Sequence, residues 1–406
     1  MSDPNFNQFI KEALEEDQAD LIEEFLEEPD NMKFVFESVT FQLPDPIQYK
    51  CPITNASIYF NAPKCFNAVI NAGGSPNAVD AWGKSSAHFA AEYGRLDFMK
   101  DPHFEKAELV VIDWRGRLPI HYAAENNHVE VLRYLIEEKG ADLTLPDNYG
   151  MTALHVACQH NSTEAAVYLL EKGAQLTADI FGRTPLDFAA KFNATKIIQY
   201  FVEKSPQSLN DVNENGQTIL HRAVIGGALD VIPLLSPLAN IKDKIGYSPL
   251  HYAAQYPYPG VVQALVNIGS DINATDEKGV TPLMIASSFN NQTVVDEILT
   301  LSQLQKNAKD AKGRNALHHA TMNSSYLVIP SLVHNGVDSN AADVEGHTPK
   351  ETADGSFAKE CRKLATGQKI IIGDYKNPGR GPTYTKYTVP TETTQQQQTQ
   401  SQCIIA

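Results

Sequence analysis

Histidine and cysteine are the residues of this 406-residue chain whose chemistry could define a function. Six of the twelve histidines (His88, His121, His155, His221, His251 and His318) sit in near-identical surroundings, as in "RLPIHYAAENNH" at 117–128. A neutral imidazole there could act as a general base or a metal ligand. Neither role is needed six times over, and the spacings that build a catalytic or metal site are missing. The sequence contains no HExxH, GxSxG or CxxC pattern and no phosphate-cradling glycine loop. His318 and His319 are adjacent, so their rings cannot share one helix face. Cys51, Cys65, Cys158, Cys361 and Cys403 are scattered and odd in number. These patterns predict a protein that is not an enzyme, with no cofactor, metal or small-molecule substrate.

The histidines instead mark a repeat. Near-copies of the quoted stretch recur as "SSAHFAAEYGRL" (85–96), "TALHVACQHNST" (152–163), "TPLDFAAKFNAT" (184–195), "TILHRAVIGGAL" (218–229), "SPLHYAAQYPYP" (248–259), "TPLMIASSFNNQ" (281–292) and "NALHHATMNSSY" (315–326). Two residues before each copy stands a glycine: Gly83, Gly116, Gly150, Gly182, Gly216, Gly246, Gly279 and Gly313, with Gly346 before a fading last copy. Their spacing is 30–34 residues. A Thr or Ser after the glycine suits a helix N-cap, and Pro119, Pro185, Pro249 and Pro282 suit the first helical position. Paired alanines such as Ala123 and Ala124 keep that helix thin enough for a close neighbour. A second apolar-faced helix follows, ending at Gly140, Gly173, Gly269 or Gly336, placed for left-handed C-caps. A turn-rich hairpin then leads to the next period. Neither helix can bury its apolar stripe alone, so the units must stack.

With its T-P-L-H, A-A and G-A-D motifs, the chain resembles the ankyrin-repeat family. The resemblance covers roughly residues 49–366 and implies an all-α solenoid of about nine helix-turn-helix-hairpin units that binds proteins. It also implies that the six histidines brace turns by hydrogen bonds. Irregular stacking is expected in three places. Pro102 interrupts the second helix after Gly83, the unit from Gly216 is short, and "YPYPG" separates the helices of the unit from Gly246.

Charge is uneven. Residues 1–30 hold eleven acidic side chains against one lysine, out of a chain total of −16. No basic stripe offers itself to phosphates, so nucleic acid is excluded as a partner. The amphipathic stretch 6–26 predicts an acidic helical cap (1–48) over the first repeat, with docking of a basic partner as its alternative; 32–43 fits helix or strand equally. No apolar run approaches the length of a bilayer span, and no apolar leader is seen, which with the cysteine usage predicts a cytoplasmic protein.

Two rows of aromatics are candidate partner contacts. Trp82, Trp114, Tyr149 and Phe181 fall at the hairpin tips of the first units. Tyr93, Phe192, Tyr256 and Phe289 fall ten residues after the glycine, at the end of the first helix. From about Gly367 the periodicity is lost, predicting a disordered tether (367–406) that ends in "CIIA". That ending resembles a C-a-a-X box and implies prenylation of Cys403, with alanine favouring farnesyl. One lipid gives only reversible attachment, and residues 367–402 carry just four Lys or Arg against two acids as a second signal. The combined expectation is a protein-binding adaptor at a cytoplasmic membrane face, peripherally attached through its lipid. A soluble regulator of a partner enzyme such as a kinase or phosphatase is the alternative.

Overall fold

The computed structural model describes residues 4–27, 51–353 and 358–366. Residues 32–43 and the tail with Cys403 lie outside these. The described residues form helices, turns and hairpins without a β-strand, grouped in two compact units, Met1–Glu277 and Lys278–Ala406.

In the first unit a seven-residue helix opens most repeats: Pro119–Glu125, Ala153–Gln159, Pro185–Lys191 and Pro249–Gln255. Proline occupies the first turn where the sequence placed it, since its missing N–H is an orphan there in any case. Ala123 and Ala124, like Ala189 and Ala190, are fully buried where neighbouring repeats meet. The closest approach is at Gly226, where a Cβ would stand 2.1 Å from the Lys191 carbonyl oxygen. Glycine is therefore obligatory at that crossing. Between the two helices of a repeat the chain turns through left-handed residues, with Asn127 at φ 60° and Asn193 at φ 58°. Their side chains also fasten the next repeat. Asn127 Oδ1 accepts the Ala165 N–H at 2.9 Å, and Asn193 Oδ1 accepts the Asp230 N–H at 3.1 Å.

The second helices are less uniform because their sequences are. Thr163–Glu171 and Thr195–Lys204 are regular, whereas Val129–Arg133 loosens into a π turn over Tyr134–Glu138. The three expected irregularities are all present. After Gly83 the helix Leu96–Lys100 stops and resumes as a 3-10 turn, Pro102–Phe104. After Gly216 the second helix is replaced by a kinked 3-10 segment, Leu229–Leu238, containing Pro233 and Pro237. In the repeat from Gly246, Tyr256 leaves the first helix with extended backbone, and Gly260, at φ 81°, starts Val261–Asn267. The second unit contains the repeats from Gly279 and Gly313, with first helices Pro282–Ser288 and Ala316–Met322, and closes on the short helix Ala358–Ala365.

The acidic N-terminal stretch forms two helices, Pro4–Glu15 and Ala19–Glu27, the second packing on Pro63–Asn71 of the first repeat. Ile10, Ala13, Leu14, Ile22, Phe25 and Leu26 are buried, so the helices cover apolar surface that the first repeat would otherwise expose. A polar clamp completes the contact. Asp17 Oδ1 accepts the backbone N–H groups of Lys64 and Cys65 at 2.9 and 3.0 Å, capping a helix whose own N-cap residue, Ala62, offers no side-chain acceptor. Replacing Asp17 with alanine is expected to lower unfolding free energy by about 1–2 kcal/mol, the usual loss for a helix cap. Urea unfolding of the full chain measures it, and an unchanged midpoint would show that the clamp contributes nothing.

Candidate interaction surface

The six repeated imidazoles are consumed by the scaffold. At His88 the N–H of Ser85 donates to Nδ1 at 3.1 Å, and Nε2 lies 2.9 Å from the carbonyl of Arg117 in the next repeat. His121 takes the Leu118 N–H and reaches the Met151 carbonyl at 3.0 Å; His155 takes the Thr152 N–H and reaches Arg183 at 3.1 Å. His221 does the same between Thr218 and Tyr247, and His318 between Asn315 and His347. A backbone N–H can only donate and a carbonyl can only accept. The ring is therefore neutral and carries its proton on Nε2. All six rings are fully buried, which removes them from any catalytic role.

The sequence reading missed what closes the hairpin that this histidine reaches, an Asp or Asn three residues before each repeat glycine. Asp113 Oδ1 accepts the N–H groups of Arg115 and Arg117, both at 2.8 Å, and Asp147, Asp179, Asn213, Asp243, Asp310 and Asp343 repeat the pattern. The regular spacing of Asp before glycine was the available signal. In several repeats the second carboxylate oxygen finds a donor on the first helix or beside the glycine: Tyr122 for Asp113, Tyr252 for Asp243, and Arg314 with His319 for Asp310. That of Asp147 lies 3.6 Å from Arg117 Nε without a hydrogen bond. Most hairpins are thus closed by their own aspartate, Asn213 taking that part in one, and fastened by the histidine before them.

Hairpins are also joined directly. The N–H of Trp114 donates to the Trp82 carbonyl at 3.1 Å, and Asn148 to Arg115, Ile180 to Tyr149 and Lys244 to Asn215 follow the same register. One junction of the first unit departs from all of this. The repeat from Gly182 carries Asp187 where histidine is usual, and a carboxylate cannot donate to the next carbonyl. No bond joins Glu214 to the Phe181 carbonyl among the described residues, and a Cβ on Gly182 would meet nothing within 4 Å. A Cβ on Gly83, by contrast, would stand 2.7 Å from the Trp114 ring. The helices on either side of this junction remain tight, at Gly226 and Asn193. The seam is open only along its hairpins.

The tip residues expected to meet a partner are the exposed ones. Trp82 is 49 %, Trp114 71 %, Tyr149 43 % and Phe181 43 % accessible, although Trp114 also leans on Gly83. They have company. Val79, Val110, Ile112, Leu145, Ile180, Val212, Ile241 and Ile245 are exposed on the same hairpins, whereas those of the second unit expose only Val344 among the described residues. The second row is less available. Phe192 is exposed, but Tyr93 is half-buried against Tyr59 and Phe89, and Tyr256 and Phe289 are half-buried. Apolar exposure thus concentrates at the tips of residues 79–245. Among the described residues no His, Cys, Asp and Glu cluster could hold a metal ion, and no helix is long and apolar enough to cross a membrane.

Comparison with known proteins agrees with this architecture. The family model described as "Ankyrin repeats (3 copies)" matches overlapping windows that together run from 53 to 343. Similar stretches occur in human Rabankyrin-5 (30 % identical, 39 % of this chain and 13 % of that protein) and in human Neurogenic locus notch homolog protein 1 (31 %, 34 % and 6 %). Another occurs in the Drosophila melanogaster Transient receptor potential cation channel subfamily A member 1 (32 %, 27 % and 10 %). The matched region therefore spans only a small part of each of these relatives.

Two outcomes test the internal wiring. Burial holds the ring pKa values of His88 and His221 at about 4, below the ordinary 6.5, and lowers those of His121, His155 and His318 in the same sense. The unfolded chain then binds protons first as pH falls. Stability is fully present above pH 6.5 and drains away toward pH 4. Urea midpoints measured across that window should fall steadily; a flat profile would contradict buried neutral rings. In hydrogen exchange at neutral pH, the Glu214 amide should exchange at least tenfold faster than those of Asn148, Ile180 and Lys244. Equal protection would show the seam to be closed.

Proposed function

The chain belongs to the ankyrin-repeat family, and from that premise we propose that it is a non-enzymatic interaction scaffold whose protein partner docks on the hairpin tips of residues 79–245. One observation carries the reading. Large apolar side chains stand in water at successive tips, Trp82 and Trp114 foremost, while the repeated histidines are buried. Exposed aromatic anchors held on rigid supports lose little entropy on docking, which is why they dominate binding energy at protein interfaces. The buried histidines leave the scaffold with specificity to offer and no reaction.

A second reading, membrane tethering, is supported by the sequence motif Cys403-Ile404-Ile405-Ala406. In a mature chain ending at Ala406, the Cys403 thiol is the acceptor for a farnesyl group. A single isoprenoid confers marginal, reversible attachment, so residence at the membrane depends on further contacts.

The docking surface is tested with Trp82→Ala/Trp114→Ala. Both side chains are exposed, so stability should change by less than about 1 kcal/mol. Recovery of partners by affinity purification should drop at least tenfold, and undiminished recovery would reject the tips as the interface. For the tether, Cys403→Ser should move the protein from the membrane to the soluble fraction and abolish labelling by an isoprenoid analogue. Membrane recovery that ignores the substitution would reject lipid attachment.

A further inference from the structure

We propose that the end of the second unit binds the phosphorylated headgroup of an anionic membrane lipid. The helix Ala358–Ala365 packs on Ala316–Met322 and Ile329–His334, burying Leu364 and Ala365. The same helix leaves Lys359, Arg362 and Lys363 exposed. Arg362, Lys363 and Thr366 form one wall of an open cleft, and Lys350 and Glu351 form the other. Its volume of about 540 Å³ suits a sugar-phosphate-sized ligand.

The lysine charge of this cleft is available. Elsewhere in the unit, cations are engaged: Lys306 donates to the Asn335 carbonyl, Lys309 to the Ala342 carbonyl, and Arg314 pairs with Asp310. Arg362 donates one guanidinium N–H to the Ala353 carbonyl at 3.1 Å, which holds it beside the cleft, whereas Lys350, Lys359 and Lys363 have no such acceptor among the described residues. Glu351, the one acid in the cleft, is held by the N–H and hydroxyl of Thr348, both at 2.7 Å. Three cations converging from two elements match a ligand with several phosphate charges in a small volume, and guanidinium plus ammonium groups are what phosphate oxygens bind best.

The setting favours a membrane as the source of that phosphate. Through residue 277 the chain has 20 basic and 38 acidic residues, and from 278 onward 13 and 11. An anionic surface therefore repels the first unit and tolerates the second, so nucleic acid would find no continuous basic track. Residues 350–369 hold five of those cations against three acids, directly before the segment that leads to Cys403. The inference deepens the tethering reading by supplying the second attachment that one lipid requires, yet it can be tested without the lipid.

Full-length protein carrying Cys403→Ser, produced in bacteria, is sedimented with phosphatidylcholine vesicles with and without phosphatidylinositol bisphosphate. Binding is expected only to the phosphoinositide vesicles, with soluble inositol trisphosphate competing. Lys350→Gln/Arg362→Gln/Lys363→Gln should weaken it on the order of 100-fold, the product of three surface cations, with the thermal melt unchanged. Lys306→Gln/Lys309→Gln should leave it intact. Binding no stronger than to phosphatidylcholine alone would overturn the proposal. So would binding that survives the triple substitution or falls equally in the Lys306/Lys309 variant. If this binding holds while isoprenoid labelling of the unsubstituted chain fails, the headgroup site stands and the tether falls.

Discussion

The architecture depends on one hydrogen bond, made again and again: a buried imidazole donating Nε2–H to a backbone carbonyl of the following repeat. That carbonyl already accepts the N–H of its own hairpin's aspartate, as Arg117 does from Asp113 and Met151 from Asp147. The histidine fills the remaining lone pair. Leaving a buried donor or acceptor unpaired costs about 1–3 kcal/mol, so each repeat is incomplete until the next one is in register. This is how short helices, none able to bury its own apolar face, become a cooperative stack.

Because the repeated histidine bonds lie inward, the outward face is free to differ between repeats. The tip residues contribute main-chain atoms to the aspartate-closed turn and to the tip-to-tip bond. Tip side chains can then be chosen for recognition. Tryptophan, valine and isoleucine occupy them in the first unit, while lysine and glutamate prevail at the tips of the second. The junction at Asp187 is an interruption in this pattern within the first unit. There both the imidazole donor and, among the described residues, the tip-to-tip bond are missing, and the repeats are coupled through helix contacts near Gly226 and Asn193 and the Arg222–Asp187 ion pair.

Much of this was legible in the sequence because it is local and repeated. The glycine period, the proline at the first helical turn, the alanine pair and the left-handed glycines all act within a few residues of themselves. The expected breaks after Pro102, at Leu229–Leu238 and at Tyr256–Gly260 were legible for the same reason. The sequence also exposed the candidate tips, since they stand one residue before the glycine, or two in the case of Trp114. What it did not reveal is who bonds to whom across repeats. Asp17 capping Pro63–Asn71 from 47 positions away has no local signature. Nor does the half-burial of Tyr93, which looks equivalent to the exposed Phe192 by position but faces Tyr59 instead.

By itself, then, the sequence determined the repeating unit, its turn chemistry and the absence of any familiar catalytic pattern, because backbone preferences and apolar periodicity are properties of neighbouring residues. The tertiary structure alone decided which side chains remain in water, which histidine protons are fixed, where the hairpin row is open and that Lys350, Arg362 and Lys363 line one cleft. Accessibility, proton placement and charge convergence arise only when residues about thirty positions apart, or two elements joined by a turn, are brought to contact distance. Composition and spacing along the chain carry no measure of that distance.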